Sequence, residues 1–258
     1  MNKTKIEWCD MTWNPVTGCY HDCHYCYATK IANRFKSEYA DSWESLANMQ
    51  QSDYPTVMAE KDCCPYPHGF IPTFYSGRLD EPAQVKKPQN IFVCSMADLF
   101  GEWVPKEWIQ TVFNACEKAP QHRYLFLTKN PERYLEFLEI EEDNYWLGIT
   151  ITTQKDMEKL NVFYRGNNHY ENMFLNIEPI QECILLNNDF IPDWAIIGAE
   201  TGNRKGKVIP KREWIENIVN YCREKNVPVF MKDSLAEIWQ EPLIREFPRM
   251  DKWDELEL

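Results

Sequence analysis

Short apolar and β-branched runs recur along this chain with helix-patterned segments between them, and that alternation restricts the fold more than any other feature. The runs lie at 73–76, 91–95, 124–128, 146–152, 173–177, 194–199 and 227–231, and 11–16 reads as a further one. Segments 106–118, 132–139 and 211–225 place apolar residues three or four apart among charged ones, the period of a helix with one buried face. Strands apolar on both faces that alternate with helices predict a parallel sheet covered on both sides. Repeated this often in 258 residues, the pattern predicts a single α/β domain over 1–258, a complete or partial (β/α) barrel of the TIM type. Ala28, Ile31, Phe35, Tyr39, Trp43 and Leu46 have helical spacing across 28–50. Residues 51–70, with Pro55, Pro65 and Pro67 and little periodicity, read as a loop insertion.

Polar groups collect directly after the runs: Arg78, Asp80 and Glu81; Asp98; Lys129; Thr152; Glu178; Glu200; Lys232. Parallel α/β barrels build their sites at the C-terminal ends of their strands, so these residues are candidates for ligand contacts. The plain alternatives are charges that begin solvent-exposed loops and ion pairs that serve the fold.

The ten cysteines need an account. The first residues lack the apolar stretch of a secretory signal, and no run approaches the roughly 18 apolar residues of a membrane span. A cytoplasmic chain is expected, and there thiols serve metals or catalysis more often than disulfides. Cys19, Cys23 and Cys26 stand in Gly-Cys-Tyr-His-Asp-Cys-His-Tyr-Cys, a C-x3-C-x2-C spacing with Tyr25 before the third thiol. One loop with that spacing wraps a compact centre, and thiolates suit zinc or an iron–sulfur cluster. Three thiolates on a cubane leave one iron open to chemistry, whereas a structural zinc takes four protein ligands, which His21 or His24 would complete. Cys63 and Cys64 beside His68 form a weaker group, because adjacent cysteines do not readily aim both thiolates at one metal. Cys9, Cys94, Cys116, Cys183 and Cys222 read as core residues.

The three-cysteine motif resembles the signature of the radical S-adenosylmethionine (SAM) superfamily. Further segments extend the likeness: Ile6-Glu7-Trp8, Thr12-Trp13-Asn14-Pro15-Val16-Thr17-Gly18, Arg78-Leu79-Asp80-Glu81-Pro82 and Ser95-Met96-Ala97-Asp98-Leu99-Phe100. So do Leu127-Thr128-Lys129-Asn130-Pro131, Glu178-Pro179, Gly198-Ala199-Glu200-Thr201-Gly202 and Phe230-Met231-Lys232. Together they resemble the phage "gene product thirty-seven/sixty-eight" family, radical-SAM-like proteins of unassigned substrate. The resemblance implies a [4Fe–4S] cluster on an N-terminal loop, held by Cys19, Cys23 and Cys26, with SAM chelating the fourth iron. It implies an external electron donor and reductive cleavage of SAM to a 5′-deoxyadenosyl radical that abstracts hydrogen from substrate. Tyr25 would then line the adenine side; Arg78, Asp80 and Glu81 would meet the methionyl end, although a Gly-Gly-Glu run is lacking there. Asp98, Lys129, Thr152 and Glu178 would contact ribose or substrate.

A net charge of −12 argues against clamping nucleic acid by bulk electrostatics. Residues 201–212 nevertheless carry Arg204, Lys205, Lys207, Lys211 and Arg212 with no acid among them. Their place after a late strand, where barrels often bind phosphate, points to a phosphorylated substrate, a nucleotide or nucleic-acid component, with Arg204, Lys205, Lys207 and Lys232 as its contacts. A solvated loop is the plain alternative. Trp103, Trp108, Trp194 and Trp214 have the spacing of core residues or of base-stacking ones. The competing functions are a zinc- or cluster-stabilised nucleic-acid-binding module without catalysis and a cluster serving electron transfer alone.

Overall fold

The computed structural model describes residues 1–36, 57–59, 66–137, 142–164, 172–187 and 190–248, with backbone alone for Met58, Ala59, Phe163 and Tyr164. The chain divides into two compact units, Met1–Trp146 and Leu147–Leu258.

The first unit contains β1 (Asn2–Lys3), β2 (Met11–Trp13), β3 (Val16–Thr17), α1 (Tyr27–Arg34), β4 (Val57–Ala59) and β5 (Thr73–Tyr75). It continues through α2 (Glu81–Gln84), β6 (Asn90–Val93), α3 (Lys106–Glu117) and β7 (Arg123–Thr128). Its main ladder runs β1-β2-β6-β7. β2 is parallel to β6, with Trp13 opposite Val93, and β6 is parallel to β7, with Phe92 opposite Leu125; only β1 is antiparallel to its neighbour. Ile91, Phe92 and Val93 are all buried, so this part of the sheet is covered on both faces, as continuous apolar strands require. Helix α3 buries Trp108, Ile109, Val112, Phe113, Ala115 and Cys116. Phe113 meets the rings of Phe126 and Tyr145 at 5.1 and 5.6 Å.

The run at 11–16 breaks into β2 and β3. Pro15 has no N–H for a ladder, and beyond it β3 leaves the main ladder to pair antiparallel with β5. The run at 73–76 therefore lies outside the parallel series, in a separate sheet of order β3-β5-β4. Strand β4 falls within the segment read as a loop insertion. Residues 37–50 of the expected long helix, and Cys63 and Cys64, lie outside the described residues. Residues Pro131–Phe137 form 3₁₀ turns rather than the expected α-helix.

Strand β8 (Tyr145–Thr150) carries the boundary between the units. The second unit continues with β9 (Met173–Ile177), β10 (Trp194–Ile197), α4 (Arg212–Glu224), β11 (Val229–Met231) and α5 (Ala236–Trp239). β8 pairs with β9, β9 with β10, and β10 with β11, all parallel. Met173, Leu175 and Ile177 pack with Ala195, Ile197, Val229 and Met231 under Ile215, Ile218, Val219 and Cys222 of α4. Phe174, Trp194 and Phe230 alternate onto the opposite face. A Cβ on Gly148 would stand 2.2 Å from the Phe174 ring, so that glycine makes room for the aromatic layer. The α/β expectation with mostly parallel strands therefore holds in each unit. Among the described residues no helix is long and apolar enough to cross a membrane.

Candidate metal centre

The three-cysteine loop leaves β3 through Gly18, whose φ of +87° suits glycine. An added Cβ would lie 2.4 Å from the Ile71 carbonyl group. Gly18 donates its N–H to the Met96 carbonyl at 2.9 Å, and Cys19 donates to Phe70 at 3.2 Å. At the far end Cys26 donates to the Cys23 carbonyl at 2.8 Å and stands at the N-cap position of α1. Ala28 and Ala32 of α1 are buried against Met96, Tyr66 and Phe70. Both ends of the loop are thus tied to residues distant in sequence.

The three thiols lie within reach of one another's charge. Burial is the main force that pushes Cys19 up to about 12; the charges of Asp98, Cys23 and Cys26 add to it, and a hydrogen bond from the His21 backbone opposes it. Cys23 is raised chiefly by burial, while the Lys129 ammonium and a hydrogen bond from the Tyr25 hydroxyl pull it back. The Lys129 ammonium stands 5.4 Å from the Tyr25 ring centroid, a cation–π placement.

Asp98 organises this region. Its Oδ1 accepts from the Phe100 N–H at 3.0 Å and the Thr128 hydroxyl at 2.7 Å; its Oδ2 accepts from the Lys129 N–H at 2.9 Å and lies 2.7 Å from His21 Nε2. The Asp98 side chain is 7% exposed. Burial works to raise its pKa, yet the His21 contact and the donors from Lys129 and Thr128 together hold it below the usual carboxylate range. His21 also meets the Trp103 ring edge-on at 4.8 Å. Asp98 therefore fastens the cysteine loop to the segments that follow β6 and β7. Asn14, after β2, does related work, its Oδ1 accepting from the Met96 N–H at 2.9 Å and the Ser95 hydroxyl at 3.3 Å.

Among the sequence candidates of the first unit, the structure brings Cys19, Cys23, Cys26, Tyr25, Asp98 and Lys129 together. Arg78 donates to the Asn14 carbonyl at 2.9 Å and stacks 3.6 Å from the Tyr75 ring centroid. Glu81 takes the Met1 ammonium, and Asp80 is exposed. The sequence reading missed Asn14, Thr128 and the pairing of His21 with Asp98. Trp103 and Trp108 are buried. Cys94 and Cys116 are core residues as expected, whereas Cys9 is half-buried.

In the second unit, Thr152 is engaged by Asp156, whose Oδ2 accepts from its N–H at 2.8 Å and its hydroxyl at 2.9 Å. Glu178 pairs with Lys232 at 2.5 Å beside Gly198. Glu200 holds Arg204 through two bonds of 2.6 and 2.8 Å. Lys207 donates to the Gly202 carbonyl at 3.0 Å, Arg212 pairs with Glu216 and Glu241, and Lys205 is exposed. The basic run of 201–212 is therefore partly neutralised by acids outside it. Trp194 and Cys222 are buried, Trp214 is partly buried, and Cys183 is half-buried.

Among the described residues no three of His, Cys, Asp and Glu surround a point able to hold one metal ion. A cubane distributes three thiolate bonds over three irons. The donor set suits a soft cationic group: three thiols on one loop, mutually repulsive as thiolates, with Tyr25 donating to Cys23 and the His21 backbone to Cys19.

A family model described as "Protein of unknown function (DUF5131)" matches residues 3–243. The chain belongs to this family. No curated protein and no solved structure matches it. The matched span includes the cysteine loop, Asp98, Lys129 and the paired Glu178 and Lys232, so the family model takes in parts of both units.

Proposed function

We propose that this protein is a radical SAM enzyme, built on a complete or partial (β/α) barrel, with a [4Fe–4S] cluster on Cys19, Cys23 and Cys26. One observation carries the reading: three thiols on one loop lie within reach of one another's charge, and Asp98, through His21, fastens that loop at the C-terminal edge of parallel strands. That edge is where parallel α/β proteins place their chemistry. When bound, the cluster supplies the electron that cleaves SAM to methionine and a hydrogen-abstracting 5′-deoxyadenosyl radical.

The chain's own residues position and tune. Asp98 fixes the His21 side chain and, through its bond to the Lys129 backbone, the segment that carries the Lys129 ammonium. That ammonium favours the thiolate of Cys23 and sits over the Tyr25 ring. Tyr25 donates to the Cys23 sulfur, which ties the aromatic position of the motif to its metal ligand. For the substrate, the exposed Lys205 and the 201–212 segment support a phosphorylated, nucleotide-like molecule. The internal bonds of Arg204 and Lys207 leave that support narrower than the cation count suggests.

The test is anaerobic reconstitution of the full chain with iron and sulfide, followed by reduction with SAM present and detection of 5′-deoxyadenosine. The expected result is a brown protein that forms 5′-deoxyadenosine, with both properties lost in Cys23→Ala. Retention of either property by that variant refutes the mechanism. Uptake of zinc in place of iron would support the non-catalytic binding module.

A further inference from the structure

Helix α4 covers one face of the second unit's strands, and the other face changes character along their length. Gly148, Phe174 and Trp194 lie side by side in register; the Phe174 and Trp194 rings are 6.0 Å apart, and Phe230 meets Trp194 at 6.2 Å. Next along the same face stand Thr150 and Asn176, in register with Ile196. Beyond them Glu178 pairs with Lys232 beside Gly198. An aromatic floor thus gives way to polar groups toward the C-terminal ends of the strands. Asn176 is 5% exposed, and among the described residues its Oδ1 has no hydrogen-bond partner. Gln181, just past β9, has a buried Nε2 in the same condition. Both residues are tied to Ile151-Thr152 after β8: Ile151 donates its N–H to the Asn176 carbonyl at 3.0 Å, and Gln181 donates its N–H to the Thr152 carbonyl at 3.1 Å. A buried polar atom without a partner costs stability, and a leucine at 176 would avoid that cost.

We propose that Asn176 and Gln181 recognise the base of the substrate, the Asn176 oxygen accepting an N–H of the base edge and the Gln181 amide donating to the acceptor beside it. The inference rests on the nucleotide-like substrate proposed above and deepens it. Nucleobases set a donor next to an acceptor on one edge, and carboxamides are the uncharged side chains that match that pattern. Small-molecule sites combine an apolar lining with a few convergent polar groups. The floor of Phe174, Trp194, Ile196 and Phe230 below the Asn176 amide suits a flat ring better than a phosphate or a sugar. The exposed Lys205, on the segment after β10, is left to the phosphate.

The test is calorimetric binding of the common ribonucleoside 5′-monophosphates to the full chain, with ribose 5-phosphate as the probe that lacks a base. At least one nucleotide is expected to bind about tenfold more tightly than ribose 5-phosphate, the advantage of a matched pair of hydrogen bonds. Asn176→Leu is expected to erase that advantage, to leave ribose 5-phosphate binding unchanged, and to hold or raise the thermal midpoint, which an amide serving the fold would not allow. Gln181→Met, outside the strands, is expected to reduce the advantage about threefold or more, and it carries the test where Asn176→Leu does not fold. A lowered midpoint with the advantage retained gives the amide to the fold and overturns the proposal. Excess SAM is expected to leave the nucleotide bound; displacement assigns the edge to the cofactor and overturns the proposal as well. If ribose 5-phosphate binds and no base adds affinity, base recognition alone fails. If neither ribose 5-phosphate nor any nucleotide binds, the nucleotide-like substrate fails with it.

Discussion

Replacing Asp98 by Asn tests whether one buried carboxylate holds the cysteine loop in place. The carboxylate meets two backbone N–H groups, of Phe100 and Lys129, on different oxygens, together with the Thr128 hydroxyl and His21 Nε2. An amide in its place must turn its NH2 toward one of those two backbone donors, whichever way it is oriented. One buried N–H then loses its acceptor, which costs about 1–3 kcal/mol. The bonds that remain lose their charge assistance, roughly a further 1 kcal/mol. A total of about 2–4 kcal/mol is therefore expected. The assay is amide hydrogen exchange at Phe100 and Lys129. Exchange there should accelerate at least about thirtyfold, the factor that corresponds to about 2 kcal/mol. Urea unfolding of the same variant should show a lower midpoint. Exchange at both amides within threefold of the unaltered protein would refute the shared-acceptor account, because neither donor would then depend on the charge.

Two further substitutions probe the frame around the site. Gly18→Ala places a Cβ 2.4 Å from the Ile71 carbonyl group at a φ of +87° and should destabilise the chain by at least about 2 kcal/mol. A thermal midpoint unchanged within error would show that the loop exit adapts. Asp156→Asn should destabilise the second unit at neutral pH, because Asp156 accepts from Thr152, Thr153 and Lys159. Burial opposes its ionisation, but the Lys159 ammonium and the Thr152 donors prevail and hold its pKa well below the usual range. A folded pKa below the unfolded value means that the contribution is complete above about pH 4 and fades as pH falls toward the folded pKa. The stability difference between Asp156→Asn and the unaltered protein should therefore shrink in acid, and denaturant midpoints between pH 7 and pH 3 check this. A difference that grows in acid would reverse the sign of the argument.

The strands were legible because continuous apolar runs such as Met173–Ile177 have few other places to go than a sheet covered on both faces. Pairing was less legible. Nothing local in 73–76 says that it joins β3 and β4 rather than the main ladder, because that outcome depends on where Pro15 ends one set of hydrogen bonds and Gly18 begins another. Residues 132–139 carry a helical pattern, but in the described part, up to Phe137, 3₁₀ turns stand where Arg133 donates to the carbonyls of Gly101 and Val104. The site divides in the same way. Cysteine spacing is local and visible, whereas His21 and Asp98 meet across 77 positions. The partners of the basic segment were only partly legible: Glu200 and Glu216 stand near it in sequence, whereas Glu241 reaches Arg212 across 29 positions.

If the cysteine loop holds a metal as proposed, its electrostatics would make that metal integral to it. Burial raises both Cys19 and Cys23, and each thiolate formed makes the next one harder to form. Lys129 and Tyr25 relieve Cys23 in part, while at Cys19 a hydrogen bond from the His21 backbone opposes the rise. A cationic group binding all three sulfurs would supply the missing compensation and displace their protons as it binds. Asp98 sharpens the requirement, because its buried negative charge also disfavours the Cys19 thiolate, although its geometry anchors the loop. The residue that fastens the loop thus also makes Cys19 and Cys23 harder to ionise. Under the radical SAM proposal, a cationic cluster would reconcile that positioning with ionisation.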